Sequence, residues 1–447
     1  MTELKIPRIV IGGTSSGAGK TVFSIGLMRA LKTRGMEVAP FKVGPDYIDP
    51  MYHKAAVGRP SRNLDGFMMN ASVVLKSFAR GYEGADIAVV EGVMGLFDSH
   101  DSVDEKGSTA QIAKILGAPV ILVADVERIA RTAAAFAHGF KSFDENLNIA
   151  GVVLNRVGST RHKRKVKTAI ERLAGLEVVG ALPKDALLHV PERHLGLVPI
   201  HEVDEDIATL ASFVEEHVDL GRILEIAKTA DRVRLPEKRE IQNKRSGKRI
   251  GVVYDSAFRF YYAETLSQIS SMATPVFIDA LEDKKLPEVD VLYIGGGFPE
   301  VFVRELEKNT SLRNDIYEFC ASGNKVYGEC GGLMYLGKKI VTKEGEFEMV
   351  GFLPITTEMQ NKYVGMGYTI NHVEKDNPLS RRGEVIVGHE FHHSRVKLNG
   401  KAEFVYRTER GVGIDGKHDG IMKNNVLASY MHVHPLGYRD MVKNLIS

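Results

Sequence analysis

The sequence predicts two α/β domains in tandem, the first built on a doubly wound parallel sheet. Three observations predict it. A chain of 447 residues is too long for one ordinary core, so two domains of about 200 residues are expected. Through the first half, short apolar β-branched runs alternate with helical patterns, the signature of a doubly wound parallel sheet. A charged, aperiodic stretch at 236–247 is then followed by a fresh strand. The chain divides into a domain over 1–235, a linker over 236–247 and a second α/β domain over 248–447.

Composition bounds the function. Apolar residues make up 44% and charged residues 26%, as in ordinary globular proteins. A net charge of +2 argues against bulk binding to nucleic acid or to a membrane surface. Two cysteines, Cys320 and Cys330, give neither a disulfide framework nor metal-site spacing, and fit a reducing compartment. No signal peptide and no apolar run of membrane length is read, so a cytoplasmic location is expected.

The first strand, Arg8–Gly12, runs into Gly12-Gly13-Thr14-Ser15-Ser16-Gly17-Ala18-Gly19-Lys20-Thr21, and a helical pattern runs from Val22 to Leu31. A glycine-rich loop between strand and helix turns backbone N–H groups toward a positive helix end. There Gly17 and Gly19 allow close approach of phosphates, Lys20 meets the β/γ-phosphates and the Thr21 hydroxyl meets Mg²⁺. Thr14 stands where the strict phosphate-loop pattern has glycine, so the loop is a variant. It points to ATP with Mg²⁺.

The second strand, Glu37–Phe41, delivers Lys42-Val43-Gly44-Pro45-Asp46-Tyr47-Ile48-Asp49-Pro50. Gly-Pro and Asp-Pro force a turn. Lys42 with Asp46 and Asp49 suits charge neutralisation and Mg²⁺, although each aspartate could equally cap a turn. The third strand, Ile87–Val90, ends in Glu91, followed by Gly92-Val93-Met94-Gly95-Leu96-Phe97-Asp98. An acid at that position holds Mg²⁺ in nucleotide folds, and Asp98 is a second candidate. Strands at Pro119–Ala124, Ile149–Leu154 and Glu177–Ala181 complete the sheet. Asn155, after the fifth, stands where a side-chain amide could read a base. Asp125-Val126-Glu127-Arg128 stays unassigned, and the basic run from Arg161 to Lys167 reads as a solvated helix face.

In the second half, Lys325-Val326-Tyr327-Gly328-Glu329-Cys330-Gly331-Gly332 is a strand entering Gly-x-Cys-x-Gly and then a helix. This is a nucleophile elbow with sulfur in place of oxygen, and a helix N-terminus would favour thiolate at Cys330. Gly295-Gly296-Gly297 closes an earlier strand; N–H groups of Gly297 and of Gly331 could face an oxyanion. The C-terminal strand Val426–Tyr430 delivers Met431-His432-Val433-His434-Pro435, a source of the general base. Cys320 lacks the elbow and reads as a packed thiol.

Taken together, these motifs resemble a known family over essentially the whole chain. The second domain resembles class I glutamine amidotransferases, and the first resembles the dethiobiotin-synthetase-like P-loop domain. Their order, the loop at 42–50, the segment 91–98 and Gly388-His389-Glu390-Phe391-His392-His393-Ser394 are similar to the tetrapyrrole a,c-diamide synthases. The resemblance implies amidation of the a and c acetate carboxylates of a metallo-tetrapyrrole polycarboxylate, with L-glutamine and ATP as co-substrates and a homodimer as the family-level assembly.

In that chemistry Cys330 would release ammonia from glutamine, and the ATP site would phosphorylate the acceptor carboxylate. By the family's motifs, Lys20, Thr21 and Lys42 would hold phosphate, and Thr21, Asp46 and Glu91 would hold Mg²⁺. Asp49 and Asp98 would face the acyl phosphate, Tyr47 and Ile48 would influence side-chain choice, and Asn155 would read adenine. The family's general triad has His-x-Glu, whereas His432-Val433-His434 lacks the acid, which leaves the group that orients the base open. His432 is preferred as base, with His434 as the alternative. The His392-His393 pair tilts the substrate toward Ni-sirohydrochlorin, with cobyrinate as the alternative. A partitioning-type binding ATPase would need a lysine at position 15, where this chain has Ser15.

Overall fold

The computed structural model describes residues 2–184, 200–235 and 245–447. It divides into two compact units, Met1–Arg239 and Glu240–Ser447. Most of the expected linker, residues 236–244, lies outside the described residues.

The first unit is built on a seven-stranded, all-parallel sheet. Its strands are β1 (Arg8–Gly13), β2 (Val38–Val43), β3 (Arg62–Leu64), β4 (Ile87–Glu91), β5 (Val120–Asp125), β6 (Ile149–Val157) and β7 (Val178–Pro183), in the order β3-β2-β4-β1-β5-β6-β7. Every residue of β1, β2 and β4 is buried, as a sheet covered on both faces requires. Helix α1 (Lys20–Thr33) follows β1 and packs into a core with Phe23, Leu27 and Leu31 against Ile9, Val38 and Val89. The chain leaves β1 toward β2 on one side and crosses from β4 to β5 on the other. The crevice at the carboxyl end of β1 is therefore the topological switch point, where ligands bind in such sheets. The short edge strand β3 had no counterpart among the expected strands.

The second unit carries a nine-stranded sheet. Five parallel strands, β8 (Arg249–Val253), β9 (Thr274–Ile278), β10 (Val291–Ile294), β11 (Lys325–Glu329) and β16 (Val426–Ser429), are ordered β9-β8-β10-β11-β16. Four antiparallel strands, β12 (Gly365–Val373), β13 (Val385–His392), β14 (Glu403–Arg410) and β15 (His418–Lys423), extend it in the order β16-β15-β14-β12-β13. In both units the chemistry-bearing residues leave the sheet at the carboxyl ends of parallel strands. Among the described residues no helix is long and apolar enough to cross a membrane.

Candidate active site

The phosphate loop leaves β1 and enters α1 through Gly19 at φ 98°, with Gly17 at φ 72°, both left-handed positions that favour glycine. At Gly19 the approach is also steric: an added Cβ would lie 2.1 Å from the Asn155 side chain. The Asn155 amide donates to Ala18 O at 2.9 Å and its Oδ1 accepts from the Arg156 N–H. It thus braces the loop end. Lys20 is buried, with Nζ 3.3 Å from Ser15 O and hydrogen-bonded to Met94 O. Burial first, and Lys42 second, push its amine down to about 8.

Beside it sits a charge cluster drawn from the ends of β2 and β4 and from the helices that follow β1 and β2. Glu91, fully buried at the end of β4, accepts from Thr21 Oγ1 at 2.7 Å and from Lys42 Nζ at 2.9 Å. Its second oxygen lies 2.7 Å from Nε2 of buried His53, whose Nδ1 lies 3.0 Å from Ser61 Oγ. Burial alone would raise the Glu91 carboxyl, but Lys42, His53 and the Thr21 hydroxyl hold it well below the usual range. Burial likewise opposes the Lys42 charge, and Asp49, Glu91 and Asp46 more than offset it. Asp49 is raised by burial and by the neighbouring Asp46 and Glu91 charges.

The other predicted acids are placed differently. Asp46 Oδ1 accepts from the N–H groups of Ile48 and Asp49 at 2.8 and 3.1 Å, so it caps helix α2 (Ile48–Val57); its other oxygen is 3.7 Å from Lys42. Asp98 is exposed and closes a turn by accepting from the Gly95 N–H at 2.8 Å. Tyr47 is buried, and Ile48 packs against the core of the unit.

No group of three or more His, Cys, Asp or Glu among the described residues is placed to hold a metal. The convergence of the Thr21 hydroxyl and the Glu91 carboxylate instead suits Mg²⁺, which takes few protein oxygens and completes its shell with phosphates and water.

In the second unit Cys330 sits at φ 47°, ψ −94° between β11 and helix α3 (Gly331–Leu336), the strained turn expected of an elbow. The turn is possible only because its glycines admit neighbours: a Cβ on Gly332 would lie 2.2 Å from Ile294 O. A Cβ on Gly331 would lie 3.1 Å from the Gly297 amide nitrogen, so the two predicted oxyanion donors come from adjacent turns. The expected thiolate is not favoured at rest. Burial first, then the Glu300 and Glu329 charges, raise the Cys330 thiol, and the Gly331 amide only partly offsets them. A six-residue helix with two carboxylates nearby does not supply the field assumed from sequence.

β11 and β16 are parallel neighbours with Glu329 opposite Ser429, so Cys330 and the segment 430–432 leave the sheet side by side. His432 is buried against Gly296, where a Cβ would lie 2.4 Å from its Cε1. His432 Nδ1 faces Glu329 Oε2 at 3.6 Å. That carboxylate is fixed by the Tyr293 and Tyr327 hydroxyls at 2.9 and 2.8 Å and by the Val433 N–H at 3.2 Å. On its other side His432 stacks on His389, ring centroids 4.9 Å apart, and the two residues exchange backbone hydrogen bonds.

His434 is engaged elsewhere. Its Nδ1 accepts from the Leu436 N–H, and its Nε2 is 3.8 Å from Glu264 Oε2. Cys320 is a buried core thiol raised to about 12 by burial. The basic run forms helix Thr160–Ala169, of which only Val166 is buried.

Sequence reasoning missed His53, Glu329 and His389. Only the Gly-His-Glu segment carried a signal, and it proves to be the strand packed on His432: a Cβ on Gly388 would lie 2.4 Å from His432 O.

Two family descriptions match the chain. Residues 9–198 match the CobQ/CobB/MinD/ParA nucleotide binding domain, and residues 249–439 match the CobB/CobQ-like glutamine amidotransferase domain. Among curated proteins the chain is similar to a cobyrinate a,c-diamide synthase of Archaeoglobus fulgidus, 54% identical over 100% of this chain and 98% of that one. It is also similar to proteins of that name from Methanobrevibacter smithii (42% identical, 98% of each chain) and Listeria monocytogenes (43% identical, 96% of each).

Proposed function

Because the chain belongs to the cobyrinate a,c-diamide synthase family of glutamine-dependent amidating ligases, we propose that it converts the a and c acetate carboxylates of cobyrinate to carboxamides. The observation that carries this reading is a cysteine elbow and a phosphate loop in one chain that aligns end to end with relatives of that name.

At Cys330 the reaction begins from a thiol. His432 takes the thiol proton as sulfur attacks the glutamine carboxamide, and the amides of Gly297 and Gly331 stabilise the oxyanion. The proton passes to the departing ammonia, which leaves a thioester that water hydrolyses to glutamate. Glu329, facing Nδ1 of His432, is the orienting acid missing from the His-x-His segment.

At the phosphate loop the acceptor carboxylate attacks the γ-phosphorus of ATP, and ADP leaves an acyl phosphate. Ammonia adds to that carbonyl, and expulsion of phosphate with loss of a proton gives the amide. An anionic carboxylate about 4 Å from a like charge is repelled by roughly 4 kcal/mol at an effective dielectric of about 20. Lys20 and Lys42 supply positive charge against this repulsion. Thr21 and Glu91 would hold Mg²⁺, which when bound neutralises phosphate charge. Glu91 and Asp49 also keep Lys42 protonated and fixed.

The relatives' names favour cobyrinate over the Ni-sirohydrochlorin to which the His392–His393 pair tilts the sequence reading, and the packing of His392 removes that residue from the argument. His392 is 4% exposed, stacks on Tyr430 at 3.6 Å and turns Nδ1 to Ser394 O. The test is mass spectrometry of products from cobyrinate and Ni-sirohydrochlorin offered together with ATP and glutamine. Two carboxamides accumulating on cobyrinate support the reading; exclusive conversion of the nickel compound refutes it.

A further inference from the structure

The first unit holds a cavity with no role assigned above. It measures about 590 Å³, within the range of roughly 300–1,000 Å³ usual for small-molecule sites. Val126, Ile129, Phe136 and Phe140 give it an apolar wall, and Asp125, Glu127, Arg128 and the phosphate-loop residues Thr14 and Ser15 line the rest. Phe136 is 55% exposed, so the apolar wall opens outward.

Three observations say what it takes. The first is position. Lys20 Nζ, the group that meets β/γ-phosphates, lies 3.3 Å from Ser15 O, so the cavity opens at the γ end of the loop. Asn155 braces Ala18 and Gly19 at the other end. A phosphoryl acceptor belongs at the γ end.

The second is charge. The two acids on the cavity wall are neutralised by partners outside it, Asp125 by Arg156 and Glu127 by Lys184. Arg128 is exposed and lines the cavity; its charge acts on Glu127 only after that of Lys184, so its guanidinium is in reach of a ligand. The third is strain. Arg128 has φ 62°, a conformation uncommon for a residue with a side chain and one that clusters at ligand sites.

Resting on the function proposed above, we infer that this cavity seats the body of the acceptor, a large flat apolar ring bearing several carboxylates. Its ring lies on Phe136 and Phe140, and Arg128 pairs with a carboxylate that is not reacting. Arg128 is thus a specificity-determining residue, and the segment Asp125–Arg128 acquires a role.

The experiment measures ammonia-driven amidation of cobyrinate by the full chain, varying cobyrinate and MgATP separately. Arg128→Gln, and Phe136→Glu on an exposed position that spares the core, should each raise KM for cobyrinate about tenfold or more. KM for MgATP should stay within about twofold, and Arg128→Lys should recover part of the loss. A rise in KM for MgATP instead would give the cavity to the nucleoside and overturn the inference. Unchanged constants in both variants would also overturn it. A wild-type chain that amidates no tetrapyrrole would overturn the underlying function, an outcome distinguishable from either.

Discussion

Glu329 and His432 face each other across two parallel strand ends, Oε2 to Nδ1 at 3.6 Å, with Cys330 the next residue after the acid. The proposed nucleophile and the acid proposed to orient its base therefore come from one turn. Glu329→Gln keeps the shape but removes the charge that favours a histidinium during attack. Glutamine hydrolysis should fall by about 10²-fold or more, the scale of general-base effects, and its pH optimum should move. Ammonia-driven amidation should persist. A Glu329→Gln variant with the wild-type pH profile would leave Glu329 a structural residue.

His432→Ala should damage glutamine hydrolysis far more than His434→Ala. Cys330 rests as a thiol, because burial and two carboxylates oppose its charge, and a thiol needs a base. His434 is turned toward Glu264 and the Leu436 N–H. The reverse ranking in steady-state glutaminase assays would exchange the two assignments.

Lys20 titrates near 8 in the free site, and bound polyphosphate must raise that value. Binding should therefore take up a proton, and MgATP affinity should weaken as pH rises through about 8. Calorimetry in buffers of different ionisation enthalpy reads the uptake directly. Lys20→Ala should bind with no such uptake and should lose amidation with either nitrogen source.

Glu91 is held below its usual range, so it contributes stability above about pH 4.5 that is lost as pH falls through its lowered folded value. Glu91→Ala breaks a buried pair and should destabilise by up to about 3–5 kcal/mol. Urea denaturation at about pH 7, 5 and 3 should show the difference between wild type and variant intact at the first two and shrinking at the third. A constant difference at all three would separate the loss from the carboxylate's charge.

The parts legible in the sequence are those whose chemistry is local. Gly17, Gly19 and Lys20 sit in one loop, and Cys330 sits in one elbow, so spacing alone exposes them. What was not legible depends on pairing between distant segments. His53 meets Glu91 only because α2 packs on β2, the neighbour of β4 in the sheet, and Glu329 looks like an ordinary strand end until β16 brings His432 alongside. Asp46 shows the converse. Its spacing suited a metal, but the same spacing suits a helix cap, and only the N–H contacts at Ile48 and Asp49 separate the two. The antiparallel half of the second sheet was missed because isolated period-2 runs do not announce which strand they join.

In the proposed reaction two chemically separate sites act in series, with ammonia as the connecting species. The most direct test is one crossed measurement: diamide formation from cobyrinate with glutamine or with ammonia, for wild type, Cys330→Ala and Glu91→Gln. Cys330→Ala should fail with glutamine and work with ammonia. Glu91→Gln should fail with both while still hydrolysing glutamine. A Cys330→Ala variant that ammonia does not rescue, or a Glu91→Gln variant that amidates normally, would contradict it.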